Sequence, residues 1–419
     1  MSQDATDRNS THPMNFFSFL RALQNPSFAL LWSGQTVSML GDEIYGIALA
    51  WWVLEQTGSA TAMSTVLICS MVPTILFLLI GGVAVDRFPR LYVIFVVDIL
   101  RAIVTIAVVI LAFTEQLQIW QVYVASILFG FANAFFQPAF QAIIPELVPR
   151  EMLLSANALA GLSARIAGIA GPAIAAAIVA LGGTAFAFAL DAVTFVISTL
   201  CLLPLLHLAR PPDPDSRTMS ILNGLREGFA TITRTPWLWI SIGIFSLVNV
   251  AQSGPFSVAL PFLVEKTLSA GVEVLGLIAS ATALGAMLTS IWVGRATRLR
   301  RRGWLAYGAS IIGGVMTIAF GLPIGVAGVV MIGFVYGITM SVFNLIWTNT
   351  LQELIPREQL GRVVSVDMLG SYLLLPVGFL VAGWATELIG PATVFIGGGV
   401  LTVGLVLLGL AHPAVRALD

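Results

Sequence analysis

The chain is poor in the residues on which soluble chemistry usually relies. It has two cysteines, Cys69 and Cys201, and three histidines, His12, His207 and His412, in 419 residues. Both cysteines lie inside apolar runs and read as small buried residues rather than metal ligands. The histidines fall at or beyond the ends of such runs, so no cluster exists for metal or acid–base work. Charged residues make up only 10% of the chain, whereas a soluble domain carries about 25%. No Walker A sequence is present, so ATP is not expected to drive the protein directly. No nucleophile–base pair stands out, so no enzyme activity is expected. The net charge of −1 is distributed over loops and points to no partner; a nucleic acid is not expected.

What the chain has in abundance is apolar surface. Hydrophobic residues make up 58% of it, and the mean hydropathy is +0.95. Runs of about 20 apolar residues suffice to cross a bilayer core. Twelve such runs are read at 28–54, 62–84, 91–113, 118–141, 155–181, 184–206, 236–264, 272–294, 303–322, 325–349, 362–388 and 391–411. The predicted fold class is therefore an all-α polytopic membrane protein. Residues 1–27 read as a polar leader without a cleaved signal, ending in a short surface helix. Residues 28–206 form a first half, 207–235 a proline-bearing and charged linker, 236–411 a second half, and 412–419 a tail.

Basic residues are distributed unevenly about these runs. Of 20 Lys and Arg, 17 fall in the termini and in every second connection. Arg101 and Arg165 lie within helices, and Lys266 alone is on the other side. The positive-inside rule then places both termini in the cytoplasm, in an inner or plasma membrane. The two halves also repeat each other. Phe136-Gln137 and Glu146-Leu-Val-Pro-Arg-Glu151 recur as Phe343-Asn344 and Glu353-Leu-Ile-Pro-Arg-Glu358, at an offset of 207. Two parallel six-helix halves with a site between them are a transporter architecture.

Residues 81–90, GGVAVDRFPR, connect the second and third runs. They are expected to form a tight turn, in which Gly81 and Gly82 admit a neighbouring helix, Asp86 takes free amides at a helix start, and Pro89 opens the next helix. With Gly82, Asp86, Arg87 and Arg90, this stretch resembles the signature loop of the major facilitator superfamily; Leu91 replaces the loop's last arginine. Residues 32–60, 138–151 and 360–365 are similar to its macrolide- and drug-efflux branch, so the resemblance covers nearly the whole chain. It implies the major facilitator fold and an antiporter of the multidrug-efflux, antibiotic-resistance kind. Asp86 is expected to dock against the start of helix 11, near Gly361 and Arg362, when the cavity faces outward, drawn by the positive end of that helix and the charge of Arg362. ARIAGIAGPA, with Gly168, Gly171 and Pro172, resembles the helix-5 motif of the family's antiporters and offers a smooth surface to helix 8. In the second copy of the loop, Arg298 stands where Asp86 would fall, as a partner for an acid of the other half or as a plain orientation signal.

Ionisable residues inside a membrane are costly and are functional candidates by default. Asp42, Glu43, Asp98, Arg101, Arg165 and Asp191 lie well inside, and Asp367 in the opening turns of helix 11. Gln35, Ser38, Asp42 and Tyr45 share one helical face, with Asp42 near the bilayer middle and Glu43 about 100° away. Asp42 is expected to be the main proton-coupling residue, with Glu43 next. Asp98 and Arg101, three residues apart, are expected to pair with each other, and Asp191 to serve packing. Arg165 is expected to need Asp42 or Asp98 as a partner. Polar and aromatic stripes (Gln35, Tyr45, Asn133, Gln137, Asn249, Gln252, Phe256, Asn344 and Trp347) suggest a cavity for a large amphipathic, weakly charged ligand. The reading is a monomeric secondary transporter driven by a proton gradient, without cofactor or metal, exporting hydrophobic or amphipathic drugs. A siderophore or lysophospholipid exporter on the same fold is the nearest alternative. A receptor or scaffold is disfavoured by the buried acids.

Overall fold

The structure is a computed structural model that describes residues 18–209, 221–293 and 301–418. Among these residues twelve helices are long and apolar enough to cross a membrane, and no strand occurs. The first half holds α1 (Pro26–Thr57), α2 (Ala60–Arg87), α3 (Arg90–Phe113), α4 (Ile119–Leu147), α5 (Leu153–Gly182) and α6 (Thr184–Leu202). The second holds α7 (Pro236–Thr267), α8 (Val272–Val293), α9 (Arg302–Phe320), α10 (Gly325–Leu354), α11 (Gln359–Ile389) and α12 (Pro391–Ala411). Arg298, the rest of the second-copy loop and the Asp86 side chain lie outside the described residues.

Local chemistry sets the helix ends. Asn25 caps α1, its side chain accepting the amides of Ser27 at 3.0 Å and Phe28 at 3.2 Å, with Pro26 at the first helical position. Gly58, at φ +58°, ends α1 in the left-handed conformation that glycine adopts without strain. Ser59 then caps α2, accepting Ala62 N–H at 3.1 Å. Proline governs the middle of α7. Pro255 and Pro261 cannot donate to the helical ladder, and the helix runs there through two wide π turns, Pro255–Ala259 and Leu263–Thr267.

The expected turn over 81–90 is shorter than its sequence suggests. Gly81 through Arg87 belong to the last turns of α2, and only Phe88 and Pro89 connect it to α3. Pro89 stands before the first turn of α3 rather than within it. Gly81 does admit a neighbour, since a Cβ there would lie 2.1 Å from the Ala134 carbonyl oxygen of α4; Gly82 faces open space.

The internal repeat appears in the packing. A Cβ on Gly130 of α4 would lie 2.0 Å from the Ser70 carbonyl of α2, and one on Gly337 of α10 would lie 1.9 Å from the Thr282 carbonyl of α8. Two glycines 207 residues apart thus allow the same backbone contact in each half. The repeated Glu146 and Glu353 make equivalent ion pairs, with Arg90 and Arg302 respectively.

The halves meet at one end and separate at the other. Away from the arginine-bearing loops a single apolar core runs through both, with Trp51, Trp52 and Val66 of the first half in one cluster with Phe262, Leu275 and Phe379 of the second. At the arginine-bearing end the cores are separate. One contains Phe28, Leu31, Ile143 and Leu159 of the first half; the others contain Tyr307 and Ile346, or Leu238 and Val363, of the second. Polar contacts tie the halves at the joined end as well. At the joined end Glu387 of α11 accepts the Ser59 hydroxyl and the Thr61 amide, and Lys266 reaches the Gly58 carbonyl. The cavity between the halves therefore opens toward the arginine-bearing loops.

The linker also contains an unanticipated element. Ile221–Arg234 is an amphipathic helix docked on the start of α11. Gly228 sits against the Arg362 backbone, Thr231 bonds Gln359 at 3.2 Å, and Glu227 forms an ion pair with Arg362.

These close backbone approaches can be tested by adding one methyl group. Gly130→Ala should destabilise the protein by about 1–3 kcal/mol, the usual cost of overpacking. Gly404→Ala, where nothing lies within 4 Å, should not. Melting curves of the two purified variants read the difference, and equal melting temperatures would refute the contact.

Candidate functional site

The first half buries an uneven set of charges where α1, α3 and α6 meet. Gln35 and Ser38 of α1, Asp98 and Arg101 of α3, and Asp191 and Ser198 of α6 are all buried. Asp98 Oδ2 accepts the Gln35 side-chain amide at 3.0 Å and the Ser198 hydroxyl at 2.7 Å. Asp191 lies against Gly41 of α1, where a Cβ would be 2.5 Å from Asp191 Oδ1. The Thr194 hydroxyl donates to the Asp191 carbonyl at 2.7 Å and reaches Oδ1 at 3.4 Å. Asp98 Oδ1 and Asp191 Oδ2 are buried without a hydrogen-bond partner in the protein.

Arg101 is the cation of this cluster, although it does not pair with Asp98 as its spacing suggests. The ion pairs among the described residues all lie at the arginine-bearing end. Asp98 instead takes the neutral donors of α1 and α6. The Arg101 guanidinium donates to Asn133 Oδ1 of α4 and lies 4.4 Å from the Phe136 ring centroid and 5.7 Å from that of Phe195. Asp42 and Glu43, midway along α1, are both exposed, where Asp98 and Asp191 are buried.

The other sequence candidates separate. Arg165 is not the partner of Asp42 or Asp98; it donates to Ser290 Oγ of α8 at 2.9 Å, across the boundary between the halves. Glu43 lies over Gly171, where a Cβ would be 2.5 Å from its own Cβ. The α5 glycines therefore serve two neighbours, α1 at Gly171 and α8 at Gly168, while Pro172 meets Gly276 of α8. Arg362 is engaged by Glu227 in this conformation, which is open at the end where Asp86 docking was expected in the opposite state.

Only part of the expected ligand cavity comes together. A cavity of about 210 Å³ lies in the second half, among α7, α9, α10 and α11, and Asn249, Gln252, Asn344 and Trp347 line it. Gln35 does not, being held by Asp98. Tyr45 does not either; it stacks on Phe129 with ring centroids 5.3 Å apart, inside the first half. Phe256 stacks on Tyr336 at 4.2 Å, away from the cavity. Asn133 is held by Arg101, and Gln137 is exposed on α4. Two acids were undervalued from sequence. Asp191, read as packing, belongs to the charge cluster, and its stripe with Thr194 and Ser198 at i, i+3 and i+7 marks that face of α6. Asp367 lines the cavity and accepts the Trp347 indole N–H on Oδ2 at 2.9 Å.

The chain is 24% identical over 398 residues to macrolide efflux protein A of Streptococcus pyogenes, covering 94% of this chain and 97% of that protein. It is 28% identical over 412 residues to the multidrug efflux pump Tap of Mycolicibacterium fortuitum, covering 94% and 98%. It is 26% identical over 394 residues to the enterobactin exporter EntS of Escherichia coli O139:H28, covering 92% and 91%. In fold it resembles a bacterial homologue of the iron transporter ferroportin in the inward-facing state, with TM-score 0.69, 15% identity and coverage of 92% and 99%. A POT family transporter in complex with 5-aminolevulinic acid gives TM-score 0.73 at 13% identity, covering 92% and 95%. The family profile matches residues 31–378 and 246–417. With twelve spans, two repeated halves and a cavity open at one end, the chain belongs to the Major Facilitator Superfamily.

Proposed function

We propose that this protein is a proton-coupled exporter of amphipathic drug-like molecules, working by alternating access as a monomer in an inner membrane. The arginine-bearing end is cytoplasmic on this reading, so the conformation described is open to the cytoplasm and ready to receive cargo. The proton gradient is the energy source, and no cofactor takes part.

The observation that carries the reading is a buried guanidinium held by an amide and two rings, in a bundle where buried Asp98 and Asp191 each keep a carboxylate oxygen without a partner in the protein and Asp42 lies midway along α1. Were all three ionised, the cluster would hold a net negative charge in a low-dielectric interior, which is expensive. Taking up protons relieves that cost, and releasing them is easy only where water reaches the group. Asp42 is exposed while Asp98 and Asp191 are buried, so Asp42 is the contact with water and the other two are the store behind it. Arg101 couples all three, because any change in its position alters the field at each. The efflux activities of the similar proteins support export rather than uptake.

Asp42→Asn should abolish drug accumulation driven by an imposed pH gradient in inside-out vesicles, while leaving ligand binding and downhill exchange in place. Undiminished gradient-driven accumulation by this variant would place the coupling acid elsewhere, with Glu43→Gln the next to measure. Asn133→Ala should leave an Arg101 nitrogen without its acceptor, lowering stability by about 1–3 kcal/mol and weakening the pH dependence of transport. A wild-type melting curve together with a wild-type pH profile would show that Arg101 does not rely on Asn133.

A further inference from the structure

We propose that Asp367 and the aromatic wall beside it form a recognition subsite for a cation, so that the preferred cargo is a cationic amphipath. The proposal rests on the exporter reading and specifies what that exporter carries.

Among the residues lining the cavity, Asp367 is the one charged side chain; the remaining polar groups are amides and hydroxyls, such as Asn249, Gln252 and Ser371. No lysine or arginine among the described residues forms an ion pair with it. It stands ten residues beyond Arg357, the first residue of the helical segment Arg357–Leu373, roughly 15 Å along the helix axis. A half-buried carboxylate that faces a cavity without a cation of its own is a ready partner for a cationic ligand.

The carboxylate is positioned rather than loose. The Trp347 indole N–H holds Oδ2 at 2.9 Å. That bond also fixes the indole, which stacks with Phe343 at 11° between planes, while Phe245 lies 4.2 Å from Phe343 between centroids. All three rings line the cavity. Ring faces beside an unpaired carboxylate form an environment that favours a weakly hydrated organic cation over a metal ion, because π faces attract positive charge and exclude water. A polyanion would meet Asp367 with no basic group to offset the repulsion. This separates the cargo from that expected of a carrier of acidic siderophores.

The size points the same way. At about 210 Å³ the cavity falls below the 300–1,000 Å³ typical of drug-sized sites. It therefore suits the cationic end of a larger molecule, whose apolar remainder extends into the opening between the halves.

Three probes of similar bulk and different charge test this on the full-length protein in nanodiscs: tetraphenylphosphonium, triphenylphosphine oxide and tetraphenylborate. Tetraphenylphosphonium should bind most tightly and tetraphenylborate least. Asp367→Asn keeps an acceptor for Trp347 and should weaken the cation at least about tenfold, as loss of a paired charge does, while leaving the neutral probe nearly unchanged; Asp367→Glu should restore part of the loss. Wild-type affinities that ignore charge, or an Asp367→Asn loss shared equally by cation and neutral probe, would overturn the subsite, as would binding of none of the three. The wild-type comparison needs no variant to fold. Proteoliposome export of the neutral probe tests the exporter reading separately: export without charge preference removes the subsite alone, whereas binding without export removes the exporter reading.

Discussion

A guanidinium inside a membrane bundle has to be neutralised and hydrogen-bonded by the protein around it, and in this chain that requirement falls on Arg101. An ion pair with Asp98, one turn away, would be the simplest solution. The structure distributes the charge instead. Asn133 takes a guanidinium N–H, and Phe136 and Phe195 supply ring faces. A tight pair would be electrically finished and would resist change. A cation held by a neutral amide and two rings keeps its charge available, so protonation at any of the three acids alters the balance for the others. The cluster joins α1, α3, α4 and α6, so such a change acts on the packing of most of the first half.

That sensitivity matters because the halves are joined asymmetrically. Their common apolar core lies at one end, and their separate cores at the other. Between the two ends α5 and α8 cross on glycine and proline. A Cβ on Gly276 would lie 2.5 Å from the Pro172 carbonyl, whereas Gly168 approaches Ala283 at 3.9 Å. The contact is tight toward the joined end and looser toward the open one. Arg165, reaching Ser290 across this seam, contributes a single hydrogen bond to a hydroxyl, which is easier to remake than an ion pair.

How much of this was legible in the sequence depends on the range of each interaction. Span count, the division into halves and the repeat follow from hydropathy and from fragments such as Glu146–Glu151 and Glu353–Glu358, because length and self-similarity are properties of the chain itself. Gly171 and Pro172 were legible as a packing surface, though not as one shared by α1 and α8. The pairing of Asp98 was not legible, since Gln35 and Ser198 come from helices 63 and 100 residues away; adjacency along α3 made Arg101 look like the better partner. Tyr45 and Phe256 were misplaced for a similar reason. Periodicity tells which residues share a face, and only the packing of neighbours decides whether that face meets a cavity or another ring. The linker helix had a readable stripe, with Leu225, Phe229 and Ile232 at i, i+4 and i+7, but the prolines preceding it drew the reading toward an irregular segment. Its Glu227 then became the partner of Arg362.

The two halves have diverged in charge while keeping their architecture. Gly130 and Gly337, and Glu146 and Glu353, preserve the same contacts in both. The buried arginine and its acids lie in the first half, and the described cavity with its single carboxylate lies in the second. Proton handling and cargo recognition on the proposed reading are thus assigned to different bodies, which cannot exchange energy through direct contact between Asp42 and Asp367. They can do so only by each favouring one relative position of the halves. A protonated cluster and an occupied cavity then act on the same rigid-body equilibrium, and coupling requires only that each have a different free energy in its two positions.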